Sequence, residues 1–209
     1  MGIQLNTIKT GSSPLVPAST TQVVSDKAMK LTGAGARSLK LTFVTGKVGA
    51  AATGRLEHSP IGNGLWSVVR TVAIGTSTDV TISGVNTSTG ELTAVGHGLS
   101  EGQLVSVSST GEIPASLSSA SMYYVNVVDA STVKLYSFAP ASDGGTLALP
   151  STAGTGTIEL SAVAAHTISI DAGVPADAAL LPLFAAARAS VVSGAGICNV
   201  LRVVLTQAE

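Results

Sequence analysis

Leu39, Leu41 and Phe43 occupy every second position of a run whose intervening residues are Ser38, Lys40 and Thr42. Successive side chains on a strand point to opposite faces, so this alternation describes a strand with one buried and one solvated face. The same period recurs, and further strands are predicted at 66–72, 79–82, 91–95, 104–107, 123–128, 133–138, 157–160, 167–170, 190–192 and 200–205. Between them lie clusters such as Gly62-Asn63-Gly64, Asp129-Ala130-Ser131 and Asp143-Gly144-Gly145, residue types that supply the backbone conformations of tight turns. Many short strands with regular turn punctuation specify an all-β chain of sandwich or barrel architecture. No helical repeat or heptad competes with that reading.

Three segments depart from the pattern. Residues 1–25 are rich in Ser, Thr and Pro, with Pro14 and Pro17 close together, and read as an extended N-terminal arm or a strand added at an edge. Residues 176–189 favour helix by their Ala and Leu content, but Pro175 and Pro182 limit it to a turn or two, leading into the strand at Ser190. The middle, residues 86–156, holds four of the strands, all three tyrosines and a dense set of Gly/Ser turns. It reads as a small β-module inserted into an outer domain formed by 26–85 and 157–209, an arrangement tolerated when the ends of the insert lie close together.

Composition narrows the function classes. Charged residues make up 11% of the 209, against roughly 25% in ordinary soluble domains, and such a surface suits a protein packed against neighbours. The formal net charge is -1 and the basic residues are scattered singly, so no nucleic-acid partner is expected, since polyanion binding needs clustered Lys and Arg. Residues 1–10 lack a continuous apolar core, and 178–189 is short and broken by Pro182. Neither a secretory leader nor a membrane partner is expected. The single cysteine, Cys198, lies between Ile197 and Val200 and reads as a small buried hydrophobe.

No reactive constellation emerges, and the chain is expected not to be an enzyme. His97 precedes Gly98 at a turn, far in sequence from His58 and His166, and reads as a turn-packing imidazole. Glu57 and His58 are neighbours on one strand, which places them on opposite faces. The aspartates are dispersed with no calcium-loop spacing, and one Cys with three scattered His does not give a zinc ligand set. Gly33-Ala34-Gly35 and Gly154-Thr155-Gly156 lack the following helix and Gly-Lys-Ser/Thr of a phosphate loop. Trp66 is expected in the core. Tyr123 and Tyr124 are expected on opposite faces, one packed inside and the other presenting an amphipathic surface. No catalytic, cofactor-binding or metal-ligating residue is assigned, and no cofactor.

The middle segment carries a recognisable pattern. It reads Leu92 to Val95, then His97-Gly98-Leu99, Glu101-Gly102 into Leu104 to Val107, Ile113-Pro114 with Leu117, Tyr123-Tyr124-Val125, and Val133-Lys134-Leu135. This resembles a small β-module of tailed-bacteriophage virion proteins, with Ile113 where Leu is commoner. The flanks are similar to a phage β-sandwich pattern. Arg55-Leu56-Glu57-His58-Ser59-Pro60, then Asn63-Gly64 and Trp66, resemble its hairpin, and 191–196 with 200–204 resemble its closing hairpin.

The resemblance implies an all-β fold: a β-sandwich outer domain with a small inserted β-module and an N-terminal arm. It also implies a virion structural protein, made in the host bacterial cytoplasm. Within that class the expectation is a capsid decoration or cement protein that binds the major capsid protein and copies of itself as a homotrimer. The rival positions are tail, neck or baseplate, and a further rival is a module binding a host-surface glycan.

Overall fold

The computed structural model describes residues 6–8, 15–16, 21–23, 29–30, 38–59, 65–171, 173–178, 186–193 and 198–208. The chain is nearly all β, in several antiparallel sheets. It divides into two compact units, residues 1–76 with 165–209 and residues 77–164.

The first unit is built from two sheets. One has the order β1 (Asn6–Ile8), β18 (Cys198–Ala208), β5 (Ser38–Val48), β16 (Ala164–Asp171), with β2 (Leu15–Val16) also on β18. The other has the order β3 (Thr21–Val23), β17 (Ala186–Ser193), β6 (Ala52–Ser59), β7 (Ser67–Ile74), with β4 (Met29–Lys30) also on β17. Leu39, Leu41 and Phe43 of β5 point into one core, as their alternation predicts. Ile168, Ile170, Val203 and Leu205 join them from the same sheet, and Leu56, Ile74, Ala187, Ala189 and Val191 come from the other. Two sheets sharing one apolar layer make a sandwich. Cys198 is fully buried in this core, and burial pushes its thiol up to about 11, so it packs as a hydrophobe.

One irregularity decides which side chains face outward. β6 and β7 pair in step from Ala52↔Ile74 to Leu56↔Arg70, then shift so that Glu57 pairs with Val68. Val69 is the extra residue of a bulge and packs against the core, while Val68 is 48% exposed. An inserted residue reverses the faces of everything beyond it.

At the β7 and β16 edges, Arg70 closes the gap between the sheets. Its guanidinium donates to the Ser169 carbonyl on β16 and to both carboxylate oxygens of Asp177 in α1 (Pro175–Ala178). That single turn is all the helix described in the 176–189 segment, and β17 begins at Ala186, earlier than the predicted Ser190. The described parts of the expected arm, residues 1–25, are edge strands. β1 and β2 pair with β18, and β3 pairs with β17. They satisfy backbone groups that would otherwise form open edges.

The second unit is one sheet with the order β8 (Asp79–Ile82), β15 (Ile158–Ala162), β11 (Leu104–Ser109), β12 (Tyr123–Asp129), β13 (Thr132–Ser137), β10 (Leu92–Thr93), β9 (Gly84–Val85). β14 (Thr146–Leu147) adds to β13. The two ends of this order, β8 and β9, are halves of one segment joined at Ser83, whose N–H donates to the Thr93 carbonyl. The sheet therefore returns on itself as a small barrel, which removes free edges. Leu92, Val105, Val107, Val125, Val133, Leu135 and Leu160 fill it.

The boundaries of this unit differ from the expected 86 and 156. β8 and β15 pair with each other, and β15 pairs with β11, so 77–85 and 157–164 belong to the module. Its entry and exit run side by side, with Ala162 N–H donating to the Thr78 carbonyl.

Candidate functional site

His97 is a built structural element. Its ring is nearly buried, Nδ1 accepts from the Leu99 N–H at 2.9 Å, and Nε2 lies 3.0 Å from the Asp129 carbonyl. An acceptor at Nδ1 fixes the tautomer with the proton on Nε2, which donates to Asp129. The ring thus clamps the turn after β12 to the turn after β10, and neither nitrogen is left for chemistry. Gly98 follows at φ +60°, a conformation that other residues resist.

Tyr123 and Tyr124 point to opposite faces. Tyr123 is buried and its hydroxyl oxygen accepts from the Ser118 N–H, while Tyr124 is half-buried on the outside, directly opposite Tyr136. Leu104 and Leu147 extend that row across four strands. At the end of β13, Phe138 is 91% exposed at φ +69°, flanked by an Ala139 N–H to Ser137 carbonyl bond. That three-residue turn is strained for an aromatic residue.

The most developed cluster lies on the outer face of the β17–β6–β7 sheet. Directly opposed residues of an antiparallel pair share a face, so Arg188, Glu57 and Val68 form one row, and Ser190, Arg55 and Thr71 form the next. The bulge at Val69 carries Trp66 outward with Val68, so Trp66 is half-buried on this face and lies outside the core. The Arg188 guanidinium carbon sits 4.3 Å from the centre of the Trp66 ring, within range of a cation–π contact. Arg188 Nε donates to Glu57 Oε2 at 2.6 Å, and Ser190 Oγ donates to Glu57 Oε1 at 2.6 Å. Glu57 is 6% exposed. Both its oxygens are engaged, as a buried carboxylate requires.

The pairing of Glu57 with Arg188 spans 131 residues, and no local spacing announces it. Three other polar clusters support the fold. Asp79 accepts from Ser77 and Ser161, Glu101 accepts from the Val127 N–H, and Lys134 pairs with Glu91 at 3.3 Å. Among the described residues no group of three or more His, Cys, Asp or Glu could hold a metal ion, and no helix is long and apolar enough to cross a membrane.

No family model matches the chain, and no curated protein or solved structure matches it either.

Proposed function

We propose that this chain is a bacteriophage virion structural protein, a capsid decoration or cement protein that binds the outer head surface through the major capsid protein and through copies of itself as a homotrimer. The observation that carries the reading is where the module's motif residues go. His97 joins two turns, Tyr123 closes onto Ser118, and Leu92, Val133 and Leu135 fill a barrel. A motif whose histidine and buried tyrosine are both engaged in folding marks a building block, and a chain with 11% charged residues presents a surface suited to packing. Three-fold repetition would let weak contacts to the shell act together.

Locating the protein in a virion map tests this. Density on the outer head at a copy number comparable to the major capsid subunit is the expected result. Density confined to a single ring at the neck, tail or baseplate would move the protein there, and absence from the particle would end the proposal.

A further inference from the structure

We propose that the outer face of the β17–β6–β7 sheet binds an acidic polysaccharide of the uronic-acid class, with Arg188 and Arg55 receiving the carboxylate and Trp66 the apolar face of the sugar ring. This goes beyond the virion reading and does not depend on it.

Arg188 is preorganised. It is held from two directions, by the Trp66 ring and by Glu57 through Nε, and Ser190 in turn fixes the Glu57 carboxylate. Only Nε is engaged, and its two terminal nitrogens take no hydrogen-bond partner among the described residues. A planar guanidinium fixed in this way presents a fork that matches a carboxylate with two parallel N–H bonds, and little rotamer freedom remains to be lost on binding.

A second cation stands nearby. Arg55 lies on the same face one row from Arg188, and no partner for it occurs among the described residues. The charged side chains described on this face are Arg55, Arg188 and Glu57, and Glu57 is buried with both oxygens engaged. Two cations stand against one carboxylate, so the face favours an anion.

The neighbouring apolar surface selects the class of anion. Beside the fork lie Trp66, half-buried and in contact with Arg188, and Val68 at 48% exposure in the same cross-strand row, apolar surface that a bare oxyanion or an acidic side chain would leave in water. A hexuronate carries its carboxylate and an apolar C–H face on one ring. Flat, amphipathic aromatic side chains suit such faces.

Trp66 is the chain's single tryptophan, so its fluorescence reports on this face alone. The full-length protein is titrated with oligogalacturonate, with dextran as a neutral polysaccharide and with sodium sulfate at matched ionic strength. A saturable change with oligogalacturonate only is the expected result. Arg188→Gln should weaken binding about tenfold or more, the share of a charge-assisted bidentate contact. Because that variant leaves Glu57 buried without its cation, Arg55→Gln is the companion. It breaks no described contact, should fold normally, and should weaken binding several-fold. No saturable response, an equal response to dextran, an equal response to sulfate, or unchanged affinity in Arg55→Gln would each overturn the proposal.

Discussion

Gly54 of β6 lies directly beneath the ring of Phe43 from the facing sheet. A Cβ at Gly54 would sit 2.7 Å from Phe43 Cε2 and 2.9 Å from Cδ2. Phe43 is fully buried in the same core, so the ring has no solvent to turn into. The missing side chain is what lets the largest residue of the sandwich core fit between the sheets.

Gly54→Ala is therefore expected to destabilise the protein. Removing a glycine reduces unfolded-state entropy and stabilises by roughly 0.4–1 kcal/mol, while overpacking a filled core costs about 1–3 kcal/mol. The second effect is the larger. Urea denaturation should show a lowered midpoint, and Phe43→Leu in the same chain should recover part of the loss. Additive effects of the two changes would show that the contact is not the cause.

His97→Ala should loosen the barrel. It removes the acceptor for the N–H of half-buried Leu99 and the donor to the carbonyl of exposed Asp129, partly buried contacts whose loss costs about 0.5–1.5 kcal/mol each. Hydrogen exchange should quicken around 94–99 and 127–131 while β5 and β18 of the sandwich keep their protection.

Acid should destabilise the sandwich in two stages. Burial lowers the pKa of His166, whose Nε2 lies 3.2 Å from the Oγ1 of Thr45, from its usual 6.5. The unfolded chain then takes up this proton first. Stability is full above about 6.5 and declines as pH falls from there towards the folded value. Asp177 is held below its usual 3.8 by the Arg70 guanidinium and the Asp171 N–H. Its contribution is present above 3.8 and is lost as pH falls through the lowered value. Urea midpoints measured against pH should fall in both ranges. His166→Gln should flatten the first stage and leave the second.

Excision should depend on where the cuts fall. Replacing 77–164 by a short Gly/Ser linker removes a closed barrel whose ends adjoin at Thr78 and Ala162. The remaining sandwich should still melt cooperatively, with a change on the order of 1 kcal/mol, because loop-closure entropy varies slowly with length. Replacing 86–156 instead strands β8 and β15 with Ile82, Ile158 and Leu160 uncovered. That version should aggregate or lose its sharp transition. Equal behaviour of the two would place the boundary elsewhere.

Much of this architecture is legible in the sequence because its signals are local. Alternation from Ser38 to Phe43 announces a half-buried strand, and it is one. Asp129-Ala130-Ser131 announces the turn between β12 and β13, where Ser131 N–H bonds Asp129 Oδ1. His97 before Gly98 announces a turn element, and its neighbour Leu99 supplies one of its two bonds. Each of these depends on residues a few positions apart, whose geometry is set by backbone sterics and strand period.

Only the tertiary structure decided the rest, because strand pairing joins residues remote in the chain. Strict alternation back from Ile74 and Val72 would turn Trp66 inward. The extra residue at Val69 reverses the phase, and that bulge exists only in the pairing of β7 with β6. Asp79 and Ser161 look like flanks of the module until pairing makes them partners across 82 residues. Glu57 reads as an ordinary outward carboxylate until β17 brings Arg188 and Ser190 to it, and β7 brings Trp66 to Arg188. A period of two specifies which side chains share a face, but it carries no information about which strand will lie alongside.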